Sequence, residues 1–226
     1  MSDSPICYFH DSMPHGEKRG MDRQRSRVYR WEDDLWKDRQ VQLTENEAAF
    51  LALRVMKAYM GPEFRVHRAT HRKQRGRRGD SLYIYLDDKP RRWSWGGQGF
   101  VTIAGGSHRT AHILLHELAH AIHQEIFDAS YARHPYMQGH GAYYTGILIN
   151  LYSVYGGIDI DEVTKTAIDS GVKVADPRAL TPSMIRLTAS QALSEKACKI
   201  FHKPQRRASR RRPIFLLNIT PQRSAT

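Results

Sequence analysis

Residues 116–120 read His-Glu-Leu-Ala-His, and this pentapeptide is the most informative stretch of the chain. An α-helix completes one turn in about 3.6 residues, so His116 and His120 lie one above the other on the same face. Two imidazoles in this arrangement can bind one Zn²⁺, and Glu117 stands beside them as a candidate general base. The other residues between 113 and 121 are Ile, Leu and Ala, which favour a helix at this position.

A catalytic zinc site commonly has three protein ligands and leaves one position for water, so a third ligand is expected elsewhere. His140 is the preferred candidate, because glycines flank it and an apolar segment follows it as far as Tyr155. The glycines allow the chain to turn before a new helix, and we expect His140 in the first turn of that helix. The alternatives are His134, Asp159 and Glu162.

Four histidines lie near one stripe of the expected metal helix, because they are spaced four, four and three residues apart. They are His112, His116, His120 and His123. Only the pair His116 and His120 has a glutamate directly after its first histidine, which places the base beside the metal. We therefore expect His112 and His123 to be neighbours of the site or partly exposed helix residues.

The two motifs together resemble those of the SprT-like (Spartan-type) zinc metallopeptidases and of His-Glu-x-x-His metallohydrolases from phages and actinobacteria. In that family a later His-Gly-x-x-aromatic motif opens the next helix, and here it is His140-Gly141-Ala142-Tyr143-Tyr144. Ala142 replaces the Pro that is usual in the family. The resemblance covers residues 44–175. It implies an α+β, zincin-like fold, in which a small mixed β-sheet packs against the metal helix and a second helix carries the third histidine.

The resemblance also implies a function, namely zinc-dependent hydrolysis of peptide bonds. His116, His120 and His140 would bind Zn²⁺, which activates water and polarises the substrate carbonyl. Glu117 would accept a proton from the attacking water and deliver it to the leaving amine. Tyr143 or Tyr144 is a candidate for contact with the developing oxyanion or with the substrate.

The composition indicates one domain with appended tails. The chain has 226 residues, of which 40% are hydrophobic, and it contains no apolar run of about 18 residues that could span a membrane. Its first residues, Met-Ser-Asp-Ser-Pro, lack the pattern of a secretory signal. The only cysteines, Cys7 and Cys198, lie near opposite ends, so a disulfide framework is not expected. We predict a cytoplasmic or nucleoid-associated protein.

The formal charge of +12 is concentrated in two basic runs, one between residues 64 and 78 and one between residues 199 and 212. Such runs favour contact with the phosphates of a nucleic acid, although a solvated basic tail has the same composition. The candidate residues for this contact are Arg72, Lys73, Arg75, Arg77, Arg78, Arg206, Arg207, Arg210, Arg211 and Arg212. Substrates that are associated with nucleic acid would fit this charge.

Two other functions are compatible with the sequence. One is a non-catalytic, basic nucleic-acid-binding protein with a structural zinc. Structural zinc sites commonly use cysteine, however, and neither cysteine is near the motif. The other is a metal-dependent hydrolase of a non-protein amide or ester, since nothing in the sequence defines a specificity pocket.

The chain divides into three predicted parts: a polar N-terminal arm (1–40), the zincin-like domain (41–175) and a helical, basic C-terminal extension (176–226). The arm is expected to be irregular, with a short helix near residues 31–37. Thr44 and Glu47 form a predicted capping box at the start of a helix that ends before Gly61-Pro62.

Three segments have the composition of β-strands, namely 64–70, 81–86 and 100–104. We expect the basic segment 73–79 to be the exposed tip of a hairpin between the first two strands. In zincins an edge strand near the metal helix pairs with the extended substrate, so the resemblance implies that the third strand lies at the edge of the sheet. Trp93 and Trp95 are expected in a loop, where they would line a substrate cleft or cover one face of the sheet.

Overall fold

The computed structural model describes residues 24–89, 94–106, 109–131 and 139–186, apart from the side chains of residues 128–131. All of these residues belong to one compact unit. The predictions for residues 1–23, for Trp93, for His134 and for the basic run of residues 199–212 lie outside the described residues.

The described helices are α1 (Arg25–Trp36), α2 (Glu45–Met60), α3 (Ala111–Tyr131), α4 (Ala142–Gly156) and α5 (Ile160–Asp169). A 3₁₀ turn, Pro177–Leu180, follows them, and residues 182–186 are again helical. None of the helices in this part of the chain is long and apolar enough to cross a bilayer.

The predicted capping box at the start of α2 is confirmed. The Thr44 hydroxyl accepts a hydrogen bond from the Glu47 N–H, and the Glu47 carboxylate accepts one from the Thr44 N–H at 2.8 Å. This reciprocal pair satisfies two of the N–H groups that a helix start leaves without intrahelical partners. It fixes the beginning of a helix that packs against α3 and the sheet.

The sheet contains β1 (Arg65–Arg68), β2 (Ser81–Leu86), β3 (Trp95–Gly97) and β4 (Phe100–Ile103), in the spatial order β1-β2-β4-β3. The pairs β1–β2 and β2–β4 are parallel, and β3 pairs with β4 in the antiparallel direction. The predicted mixed α+β architecture with a small sheet is therefore confirmed, and α3 packs against β3 and β4.

The hairpin expected between the first two strands is wrong, because β1 and β2 are parallel. Residues 69–80 form a crossover connection, and a dozen residues are long enough for one. The Gly76 N–H donates to the Gly99 carbonyl at 2.6 Å, and the Gly79 N–H donates to the Glu125 carboxylate at 3.0 Å. These bonds tie the basic segment to the β3–β4 turn and to α3.

The predicted edge strand is also corrected. Strand β4, which was expected at the edge, lies between β2 and β3, and β3 ends the sheet and contacts α3. Trp95, which was expected in a loop, therefore belongs to the edge strand. Its side chain is 72% exposed, and its ring contacts the Phe100 ring edge-on at 6.5 Å.

The centre of the fold is α4, where every residue from Tyr144 to Tyr152 is buried. A helix that is apolar all round must be surrounded by other elements. Helix α4 packs against α3, α5 and the 3₁₀ turn, so the segment that follows His140 is anchored in the core.

The described part of the N-terminal arm is more ordered than predicted, because α1 begins at Arg25, six residues before the short helix expected at residues 31–37. Val28, Trp31 and Trp36 are buried, and the Trp31 ring lies 6.0 Å from the Tyr152 ring of α4. The indole N–H of Trp31 also donates to the Thr166 hydroxyl of α5. Helix α1 is thus part of the core that surrounds α4.

Candidate metal centre

The three predicted ligands come together at the contact between α3 and the start of α4. The ring centroids of His116 and His120, one turn apart on α3, are separated by 5.0 Å. The His140 ring lies 5.3 Å from the first and 4.7 Å from the second. His140 stands in the turn before α4 and not in its first turn, because Gly141 takes an extended conformation and caps the helix.

One donor nitrogen of each ring lies within 4.8 Å of the other two, so these residues could hold a metal ion. A Zn–N bond is about 2.0–2.1 Å long, and nitrogens that share a tetrahedral ion are about 3.3 Å apart. The limit of 4.8 Å is wider than this value, so the side chains would have to rotate slightly inwards to share an ion. His116 and His140 are buried and His120 is partly exposed, so the cluster opens towards solvent on the His120 side.

The alternative carboxylate ligands that the structure describes are engaged elsewhere. Asp159 caps α5, where its side chain accepts hydrogen bonds from the backbone N–H groups of Asp161 and Glu162. Glu162 pairs with Arg39 at 3.2 Å. Neither belongs to the ligand cluster, which favours His140 as the third ligand.

Glu117 lies beside the cluster with only 7% of its surface exposed. Burial raises the pKa of its carboxyl group to about 7, and the nearby charge of Glu32 acts in the same direction. The positive charge of His116 and a hydrogen bond from the Gly96 N–H oppose this rise. In the absence of a metal ion, Glu117 can therefore accept or release a proton near neutral pH.

The imidazoles of the cluster differ in their proton affinity. Burial lowers the pKa of His120 well below its usual value, and the charges of His116 and His140 lower it further. Burial also acts to lower the pKa of His116, but the charge and the hydrogen bond of Glu32 raise it overall. A metal ligand must present a free lone pair, and the surroundings of His120 favour this neutral form.

The tyrosines of the His-Gly motif occupy different places. The Tyr144 ring is fully buried, stacks on the His120 ring at 4.3 Å and donates from its hydroxyl to the His116 carbonyl at 3.4 Å. Tyr143 is partly buried and contacts the Phe127 ring at 5.2 Å. Tyr144 therefore supports α3 from within the core. A contact of either tyrosine with substrate stays a prediction.

His112 and His123 lie outside the ligand cluster. The His112 ring stacks on Trp36 at 5.5 Å. His123 is buried rather than partly exposed, and it contacts the Phe127 ring at 5.2 Å. Burial lowers the pKa of His123 to about 4, with a further contribution from the charge of His140. The choice of His116 and His120 as the ligand pair, which rested on the position of Glu117, agrees with this arrangement.

Two side chains of α1 that were not predicted as site residues also reach the cluster. The Tyr29 ring stacks on His116 at 5.3 Å and meets His140 edge-on at 5.2 Å. The Glu32 carboxylate lies 2.9 Å from His116 Nδ1.

A signal for this helix was present in the sequence. Val28, Trp31 and Leu35 have the i, i+3, i+7 spacing of an amphipathic helix that begins several residues before the one expected. Nothing in that spacing indicates that Glu32 meets a histidine from a distant part of the chain.

The five described basic candidates lie on the exposed crossover between β1 and β2. They are Arg72, Lys73, Arg75, Arg77 and Arg78. The Arg72 guanidinium pairs with Asp87, and the Arg75 guanidinium lies 4.0 Å from the centroid of the Phe100 ring. The crossover is thus a basic surface that is fixed to the sheet.

No family model, curated protein or solved structure matches the chain. The resemblance to the SprT-like peptidases rests on the two motifs alone.

The contact between β3 and α3 leads to a stability prediction. A Cβ atom at position 96 would lie 2.1 Å from the Glu117 carbonyl oxygen, which is a backbone atom that cannot rotate away. We expect Gly96→Ala to lower the free energy of unfolding by about 1–3 kcal/mol, measured by chemical denaturation. Gly97→Ala is the matched control, because its Cβ would meet the end of the Phe100 ring, which can move. An equal loss in both variants would contradict the proposed backbone contact.

Proposed function

We propose that the protein is a zinc-dependent metallopeptidase with a zincin-like fold, as the resemblance to the SprT-like family implies. The observation that carries this proposal is the convergence of His116, His120 and His140, whose donor atoms lie within 4.8 Å of one another, beside the buried carboxylate of Glu117. A buried acid next to such a ligand set is the arrangement that metal-assisted hydrolysis requires.

The donor set supports zinc as the metal. Imidazole ligands suit Zn²⁺, and a site with three protein ligands leaves a coordination position open for substrate or water. Structural zinc sites are closed by four ligands and commonly use thiolates, whereas this cluster consists of three imidazoles. A catalytic centre therefore fits the described residues better than a structural one.

When bound, zinc would act as a Lewis acid on the substrate carbonyl. Glu117 transfers the proton. Its carboxylate accepts a proton from the attacking water and then donates it to the leaving amine. Both steps require a group that gains and loses a proton readily near neutral pH, and the burial of Glu117 favours this property. The Gly96 N–H holds the carboxylate against β3.

The edge strand β3 supports an extended peptide as substrate. The Gly96 N–H donates to the Glu117 side chain, so it points away from β4 and towards the cluster. An extended peptide that added to this edge would pass next to Glu117 and the ligands. Strand β3, and not β4 as expected, is therefore the edge strand that lies next to the proposed base.

The basic crossover supports substrates that are associated with nucleic acid. Phosphate contacts by exposed Arg and Lys are independent of sequence, and the described part of the crossover carries five such residues between positions 72 and 78. We propose that this surface brings the peptidase near proteins that are bound to DNA or RNA.

Metal analysis combined with a protease assay tests the proposed function. We expect the purified protein to contain one equivalent of zinc and to cleave casein. Removal of the metal by a chelator should abolish cleavage, and addition of zinc should restore it. Glu117→Gln protein purified in parallel controls for a contaminating protease. Cleavage that persists without metal, or a zinc-loaded protein that cleaves neither casein nor DNA-bound protein, would reject the proposal.

A further inference from the structure

Helix α1 places a buried carboxylate directly behind the cluster. Glu32 is only 5% exposed, and both of its oxygens lie 2.9 Å from His116 Nδ1. The Tyr152 hydroxyl of α4 donates to Glu32 Oε1. Three elements that are far apart in the sequence, α1, α3 and α4, therefore meet in one chain of hydrogen bonds.

These hydrogen bonds determine which nitrogen of His116 can bind a metal. An ionised carboxylate can only accept hydrogen bonds, so Nδ1 must carry the proton that it shares with Glu32. The lone pair of the ring is then on Nε2, the nitrogen on the far side of the imidazole from Glu32. A carboxylate partner also increases the electron density of the ring, which makes Nε2 a stronger ligand.

A purely structural role does not explain Glu32 well. Burial of a carboxylate is costly unless hydrogen bonds compensate for the lost hydration, and an apolar side chain of similar volume would fill the same space at lower cost. The acid is placed between an imidazole of the cluster and a tyrosine hydroxyl, and it is the bond to the imidazole that a metal site would use.

The N-cap residue of α1, Gln24, and a further residue of the helix contact the remaining parts of the centre. The Gln24 side chain donates to the His140 carbonyl at 2.8 Å, and its own oxygen accepts from the Lys173 N–H at 2.8 Å. The Tyr29 ring lies against the rings of His116 and His140. Helix α1 thus supports both ligand segments, and Glu32 is its one described carboxylate in contact with a ligand.

We propose that Glu32 is a positioning residue of the metal centre, which holds His116 in the Nδ1-protonated form and orients its Nε2 towards the ion, while Tyr152 holds Glu32. The inference rests on the proposed zinc centre, but it does not depend on peptide hydrolysis.

Zinc affinity tests the inference independently of activity. We expect Glu32→Gln to bind zinc about 10- to 100-fold more weakly than the unmodified protein in competition with a chromophoric chelator. Glu125→Gln is the matched control, because it removes a buried carboxylate that accepts a hydrogen bond from the Gly79 N–H. The control should retain the affinity of the unmodified protein, and thermal unfolding of the metal-free proteins should show that both variants are folded.

Tyr152→Phe removes only the hydroxyl that holds Glu32 and preserves the ring that packs against Trp31 and Trp36. We expect it to weaken zinc binding less than Glu32→Gln does, and it decides the question if Glu32→Gln does not fold. Glu32→Gln decides the question if it folds, and Tyr152→Phe decides it otherwise. A zinc affinity of that variant within roughly threefold of the affinity of the unmodified protein would overturn the inference.

The outcomes separate this inference from the proposed function. Zinc binding that is weakened by Glu32→Gln in a protein without peptidase activity would support the positioning role and reject the function. Unchanged zinc binding by Glu32→Gln, in a protein that is an active peptidase, would reject the positioning role and support the function. An unmodified protein that does not bind zinc would reject both.

Discussion

Glu117→Gln is expected to lower the rate of peptide hydrolysis by about 10²- to 10⁴-fold, the range that general acid–base catalysis contributes. The amide has nearly the same size and shape as the carboxylate, so the packing of α3 against β3 is preserved. It has no basic oxygen that can take a proton from the attacking water. The zinc content should not change, because the ligands that we assign are the three histidines.

The measurement is a comparison of kcat/KM and zinc content for the variant and the unmodified protein. Glu125→Gln, a change of the same kind on the same helix, is the control for a general effect of losing a buried carboxylate from α3. Full activity of Glu117→Gln would reject the assigned base. Loss of zinc together with activity would show instead that Glu117 holds the metal.

His140→Ala is expected to remove zinc binding and, with it, activity. The variant loses one of three imidazole ligands. Loss of a residue that only hydrogen-bonds to a ligand weakens binding about 10- to 100-fold, and we expect the zinc affinity of His140→Ala to fall further than that. Helix α4 should still form, because Gly141 caps it and its buried face lies beyond the substituted residue. Metal analysis and circular dichroism would measure the two effects separately.

His112→Ala is the matched control for this prediction, and it also tests the register of the ligands. His112 lies one turn before His116 on the same helix, but it stacks on Trp36 and does not belong to the cluster. The control should retain zinc. A zinc content of His140→Ala equal to that of the unmodified protein would show that another residue is the third ligand. The alternatives are His134 and the downstream acids.

The helical part of the site could be predicted from the sequence because its information is local. A spacing of four residues places His116 and His120 on one face in any helix, and the apolar residues around them specify a buried helix. The flanking glycines similarly marked His140 as a residue at the start of a helix. The error of two residues in its position arose because an extended Gly141 can cap a helix without a side chain.

The order of the strands and the role of α1 could not be predicted in the same way. Alternation of apolar residues shows which face of a strand is buried, but not which strand lies beside it, so a crossover was taken for a hairpin. The pairing of Glu32 with His116 joins residues 84 positions apart. Contacts of this kind depend on how whole helices pack, and a local pattern does not contain that information.

The contact between Glu32 and His116 also limits how far the protein can be shortened. A fragment that started at α2 would include every imidazole of the cluster and the acid that follows the first of them. It would nevertheless lack the carboxylate behind His116, and the α1 indoles would no longer cover the Tyr152 ring. The smallest portion worth expressing for metal titration therefore extends upstream to Gln24, well before the boundary that the motifs alone would suggest.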